Sequence, residues 1–221
     1  MKTVLAIGAH PDDIEIGCGG TELILKDRDY RLIHVIVTSG EEGSLSSNFN
    51  ELASTREAEA IASAEILKAD EVVFLRFPDG LTAYSKEMKI EVIKQIRKFK
   101  PEIVFTHSSS DHFSDHSVVH ALSMSAITAA AGPWYPASLK PHSVSKIYGY
   151  EVWHPLNRHQ LVVDVTSVMN KKLEALACHK TQTKDVAYLE GVQGLARFRG
   201  AMTMVGKFAE VFEVLKTKED L

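Results

Sequence analysis

His10, Asp12 and Asp13 fall within four residues of one another in the stretch Ala9-His10-Pro11-Asp12-Asp13-Ile14-Glu15. Imidazole and carboxylate together suit Zn²⁺ and leave a coordination position for water. If only one of two adjacent acids is on the metal, the other is free to take a proton from that water. A Pro-Asp-Asp turn alone is ordinary loop chemistry. What gives it weight is a second set, His107-Ser108-Ser109-Ser110-Asp111-His112-Phe113-Ser114-Asp115-His116. His116 would supply a third protein ligand, and Asp115 could hold a neighbouring imidazole by a hydrogen bond. His120 is one helical turn after His116, a spacing at which two histidines can share a metal. Its apolar helix makes packing the preferred role, and His34, inside an apolar run, is also assigned to the core.

The elements that must carry these residues are legible as alternating apolar patterns. Val4 to Gly8 reads as a buried strand, followed by Gly17-Cys18-Gly19-Gly20 and a helix from Thr21 to Tyr30. Leu32 to Val37 and Val72 to Leu75 read as further strands, separated by an alanine-rich helix over Glu51–Lys68. The next helix presents Met88, Val92, Ile93, Ile96 and Phe99 on one face and is ended by Pro101. Ile103 to Thr106 is the fourth strand. Near-continuous apolar strands alternating with helices predict an α/β fold, a Rossmann-like parallel sheet with flanking helices. Such sheets bind ligands outside the carboxyl ends of their strands, at the switch in strand order. Strands 1 and 4 can be neighbours there, so both polar loops can face one site.

After Ala131 the pattern changes, with Pro133, Pro136 and Pro141 punctuating a loop. Strands are expected over 146–153 and 160–165, a helix over 167–179, and a mobile loop over 184–193. A short helix over 196–204 and a closing strand over 211–215 complete the chain. The expected organisation is a single domain over 1–221: a core over 1–131 and a small substrate-side strand/helix extension over 132–221.

Composition narrows the partners. The chain has 221 residues, 45% hydrophobic, which is enough for one sizeable core. A net charge of −4 argues against nucleic acid, because there is no basic surplus to displace counterions. Cys18 and Cys178 are the only cysteines and stand far apart, so a reducing cytoplasm is the expected compartment. No apolar stretch is long enough to span a bilayer. No G-x-G-x-x-G occurs, so the fold does not imply a dinucleotide. A small-molecule substrate remains. The sequence leaves a homo-oligomer open.

Together His10-Pro11-Asp12-Asp13-Ile14-Glu15, Gly40-Glu41-Glu42-Gly43-Ser44, Arg56-Glu57 and Asp115-His116 resemble the LmbE-like/PIG-L zinc N-deacetylases. Ala177-Cys178-His179-Lys180-Thr181-Gln182, Arg199-Gly200 and Phe208-Ala209-Glu210-Val211-Phe212 extend the likeness nearly end to end. The resemblance implies removal of an N-acetyl group from an N-acetylglucosamine-type sugar or glycoside. It implies Zn²⁺ on His10, Asp13 and His116, Asp12 as general base, and Arg56 in contact with substrate. Glu15 could bond a sugar hydroxyl or cap a helix, and His179 is a candidate pocket residue. One departure stands out: the family often has a histidine three residues before its last zinc ligand, where this chain has Phe113. His112 and His179 are the candidate replacements for its role in polarising the carbonyl, with His112 slightly preferred. The competing readings are another metallo-amidase or esterase, and a metal-dependent sugar-binding protein that has lost catalysis.

Overall fold

A computed structural model describes residues 1–44, 48–81, 83–135 and 139–218; Ser46, Ser47 and Pro136 lie outside the described residues. Seven strands form one sheet in the order β3-β2-β1-β4-β5-β7-β6. The first half alternates strand and helix: β1 (Thr3–Gly8), α1 (Asp13–Lys26), β2 (Arg31–Thr38), α2 (Phe49–Leu67), β3 (Glu71–Phe77), α3 (Lys86–Phe99), β4 (Ile103–His107) and α4 (Ser114–Ala130). These four strands and β5 (Lys146–Tyr150) are parallel. After β6 (Leu161–Asp164) come α5 (Met169–Leu176), α6 (Lys180–Thr183) and α7 (Tyr188–Thr203). The closing β7 (Ala209–Lys216) runs antiparallel to both β5 and β6. The last three strands thus continue the same sheet.

Alternation along β1 explains how the sheet is covered on both faces. Leu5 and Ile7 pack with α3 and α4 through Val92, Ile93, Ile96, Val119 and Leu122. Val4 and Ala6 face the other way, onto Ile14 and Cys18 of α1 and Ala60 of α2. Among the described residues, no helix is long and apolar enough to cross a membrane.

Two sequence expectations are corrected. The first helix begins at Asp13, eight residues before the expected Thr21, so the glycine run lies inside it. Glycine is there for close approach: a Cβ at Gly17 would meet the Tyr150 ring, and one at Gly20 would meet Glu210 and Val165. Tyr150 in turn donates its hydroxyl to Ile7 O at 2.7 Å, fixing α1, β1 and β5 together beneath the site. The second correction concerns 184–193, expected as a loop. Helix α7 already starts at Tyr188. Gly191 and Gly194 weakened its helical signal, and packing of Val192 and Ala196 onto Phe208 supplies what propensity lacks.

Candidate active site

β1 and β4 pair directly, with Leu5 opposite Val104 and Ala6 opposite Phe105. Their carboxyl ends therefore release the His10–Asp13 turn and the Ser108–Phe113 loop side by side. His10, Asp13 and His116 come together so that one ligand atom from each lies within 4.8 Å of the others. His116 Nε2 is 3.3 Å from Asp13 Oδ1, and His10 Nδ1 is 3.5 Å from Asp13 Oδ2. The turn holds itself: His10 N donates to Asp13 Oδ2 at 2.7 Å.

The donor set fits a divalent metal. His116 is fully buried, and its Nδ1 is 2.9 Å from Asp111 Oδ2, while Nε2 has no hydrogen-bond partner among the described residues. A proton held on Nδ1 by Asp111 leaves the Nε2 lone pair free to coordinate, a common arrangement at histidine metal sites. Burial opposes a charge on His116, but Asp13 and Asp111 overcome it and raise its pKa to about 9. Burial also opposes ionisation of Asp13, yet His116 above all, with a hydrogen bond from His10, holds its carboxyl well below the usual range.

His10 is oriented from its other side. Its Nε2 is 3.0 Å from Asp79 Oδ1 and 3.2 Å from Asp115 Oδ2, and Asp115 also accepts Gly80 N–H at 3.1 Å. The expected pairing of Asp115 with an imidazole is thus present, and Asp79 joins it. Asp79 was missed because Pro78-Asp79-Gly80 reads as a turn. His107 opens the second polar set but was given no role; the structure makes it the last residue of β4, buried and stacked on His116 with ring centroids 4.0 Å apart. Burial, aided by His116 against the pull of Asp13, lowers His107 to about 4. It is therefore neutral, and its Nε2 accepts Ala9 N–H at 3.1 Å.

Asp12 is buried beside the ligands with a backbone φ of 113°, a left-handed conformation uncommon for a residue with a Cβ. Burial raises its pKa to about 6, although Arg56 pulls the other way and Asp13 adds to the rise. A carboxyl with that pKa can both take and return a proton near neutrality.

Arg56 is buried more deeply still. Its Nη2 donates to Pro11 O at 2.7 Å and stands 3.4 Å from Asp12 Oδ2, and its Nη1 donates to Gly40 O at 2.9 Å. It lines the site cavity, and two of its N–H groups are committed to the two loops, while Nε has no hydrogen-bond partner among the described residues. Holding the loops is therefore added to the expected contact with substrate.

The cavity, about 400 Å³, is walled by His10, Asp12, Asp13, Arg56, Asp79 and Asp115, with Phe113, Trp153 and Tyr188 at its apolar side. Four expected residues are not in its wall: His116, which lies beneath Asp13, and Glu15, His179 and His112. Glu15 is enclosed, its Oε1 accepting from Ser63 Oγ at 2.6 Å and lying 3.4 Å from His179 Nε2. Glu15, left open between a sugar hydroxyl and a helix cap, sits in the first turn of α1 with its carboxylate against Ser63 and His179. His179 is fully buried behind Asp12 and Glu15. His112 turns outward: it is exposed, its N–H donates to His154 Nδ1, and its ring lies 5.3 Å from that of His154. Asp111 points inward and the next side chain on an extended loop points out, so the slightly preferred His112 stands outside the cavity and His179 stands behind Asp12. Of the histidines given to the core, His34 is buried 2.8 Å from Glu22, and His120 Nδ1 bonds His107 O at 2.8 Å.

Comparison with known proteins agrees with this geometry. A model of the PIG-L family, described as GlcNAc-PI de-N-acetylase, matches residues 5–127. The chain is 33% identical over 192 residues to a diacetylchitobiose deacetylase of Thermococcus kodakarensis, covering 82% of this chain and 70% of that protein. Its fold matches the N,N'-diacetylchitobiose deacetylase of Pyrococcus horikoshii, with a TM-score of 0.87 and 27% identity over 97% of this chain and 84% of that one. It also matches GalB, the 4-carboxy-2-hydroxymuconate hydratase of Pseudomonas putida, with a TM-score of 0.89 and 25% identity over the full length of both chains.

Proposed function

Because the chain belongs to the PIG-L (LmbE-like) family of deacetylases, hydrolases acting on N-acetyl amides, we propose that it removes the acetyl group from an N-acetylglucosamine-type amino sugar or glycoside. The observation that carries this reading is the meeting of His10, Asp13 and His116 beside a buried Asp12 that none of them contacts by a hydrogen bond. His10, Asp13 and His116 would hold a zinc ion. When bound, zinc supplies a Lewis-acid centre for the acetamide carbonyl and for water.

The chain's own groups supply the rest. Asp12 Oδ takes a proton from the attacking water and returns it to the departing nitrogen, which leaves as an amine, with acetate as the other product. Its pKa near 6 makes both transfers accessible. Asp111 keeps the His116 proton on Nδ1, and Asp79 with Asp115 fixes the His10 ring. Arg56 holds the Pro11 peptide, and with it the unusual backbone that aims Asp12. The polar wall around Arg56 and Asp79 suits sugar hydroxyls, while Phe113 and Trp153 shield the reacting centre from water. The two unpaired cysteines suit a cytoplasmic enzyme.

Acetate release from N-acetylglucosamine and N,N'-diacetylchitobiose, measured against added Zn²⁺, is the test. No release from either at any metal level would remove the reading. A second reading, water addition to a carboxylated substrate at the same centre, is favoured by Phe113 and by the end-to-end overlap with the GalB hydratase. A water adduct formed without acetate would select it.

A further inference from the structure

Next to the polar cavity lies a second one of about 340 Å³, enclosed by α7, β7, the start of α1 and the segment after β5. The two share Ile16, Val152, Trp153 and Tyr188, so they adjoin across a common apolar wall. The character of the second cavity is different. Val186, Val192, Leu195 and Val211 line it together with the shared apolar residues.

The charged groups in that wall are already spent on one another. Lys172 Nζ donates to Glu210 Oε1 at 2.6 Å and to Ile16 O at 2.8 Å. Glu210 also accepts from Gly20 N, Thr21 N and Thr21 Oγ1. Glu151 is taken up by Arg199, with 2.7 Å from Nη2 to Oε2, and by Leu156 N at 2.6 Å. A sugar ring entering here would find few partners for its hydroxyls, whereas an apolar group would strand no charge.

Resting on the deacetylase reading, we propose that the substrate carries an apolar group, aryl or alkyl, which this cavity receives while the amide-bearing sugar occupies the polar one. The shared chemistry is hydrocarbon. Its source is an aglycone or a longer N-acyl chain.

Gly191 provides the means to test it. It lines the cavity on α7, and a Cβ there would meet nothing within 4 Å. Gly191→Phe adds bulk there and removes a helix-interior glycine, so the fold should tolerate it. Leu195→Phe, one turn further along α7, is a second plug that adds no tryptophan. Gly194 on the same helix also has open space at its Cβ but does not line the cavity, and Gly194→Phe is the control.

Binding is read by Trp153 fluorescence in a Trp134→Phe background, so the assay does not depend on turnover. The probes are N-acetylglucosamine, phenyl N-acetyl-β-glucosaminide and N-hexanoylglucosamine. At least a tenfold tighter Kd is expected for one hydrocarbon-bearing probe over N-acetylglucosamine. The gain should vanish in Gly191→Phe or Leu195→Phe and persist in Gly194→Phe. A gain with the phenyl glycoside assigns the cavity to the aglycone, and one with the hexanoyl amide to the acyl chain. No gain with either probe, or a gain that survives both plugs, overturns the proposal. Acetate release from N-acetylglucosamine itself reports separately on the deacetylase reading.

Discussion

Arg56 Nη2 donates to the carbonyl of Pro11 at 2.7 Å, across 45 residues of sequence and from the helix after β2 to the loop after β1. The same guanidinium holds Gly40 O at 2.9 Å. One side chain thus ties together the carboxyl ends of two parallel strands, directly under the residue with the left-handed backbone, Asp12.

Arg56→Ala should therefore cost stability as well as activity. It leaves the buried Pro11 carbonyl unpaired, while Gly40 O keeps the Gly43 N–H at 3.1 Å, for a loss of ~1–3 kcal/mol in urea unfolding. It should also lower kcat, because the Asp12 turn loses its anchor, rather than raising KM alone. An unchanged unfolding midpoint together with a pure KM effect would return Arg56 to substrate contact only.

Metal binding should depend on Asp111, which the sequence reading did not single out. Asp111 touches His116 Nδ1 and is also within reach of Trp153 N and His154. Asp111→Asn loses the charge that fixes the His116 proton, and affinity for zinc should fall about 10–100-fold. His116→Ala should lose the metal outright. Competitive titration with a chromogenic chelator checks both, and full zinc occupancy in the alanine variant would remove His116 from the ligands.

How much of this site was readable in the chain depended on what surrounded each residue. His10, Asp13 and His116 stood out because polar groups interrupt apolar runs just where parallel strands end. Asp79 sits in a plain turn signature, and His107, though it opens the polar set, has no spacing that sets it apart from its neighbours. Asp79 reaches the cluster through the pairing of β3 with β2 and of β2 with β1, and His107 through that of β1 with β4. Likewise the glycines of α1 looked like a loop, because their reason is Tyr150 and Glu210, more than a hundred residues away.

Asp12→Asn should keep zinc and the fold and lose ~10²–10⁴-fold in kcat, the usual cost of removing a positioned general base. The amide retains the side chain's shape beside Arg56, so circular dichroism and metal content should match the parent. A kcat within a few-fold of the parent, with metal content confirmed, would assign the proton transfer to another group.

The last expectation concerns Phe113, which occupies the place of the family's histidine. Its ring packs 5.0 Å from that of His116 and 6.0 Å from that of His10, and it carries no donor for charge developing on the acetyl oxygen. His112 faces outward toward His154 and is poorly placed to help. His179 is fully buried, and neither of its ring nitrogens has a hydrogen-bond partner among the described residues; Glu15, 3.4 Å from Nε2, is its ion-pair contact. That imidazole also faces Asp12 closely enough to stabilise its charge. An imidazole held this way, against a carboxylate and behind the base, is preorganised, whereas an exposed one is not. Losing a preorganised donor costs ~10²–10³-fold in kcat. His179→Ala should fall by about that factor with zinc retained, Glu15→Gln should fall less because the imidazole stays, and His112→Ala should remain within about threefold of the parent. If the His112 variant falls and the His179 variant does not, the Ser109–Ser110 loop must bend inward when substrate binds, and the donor comes from His112 after all.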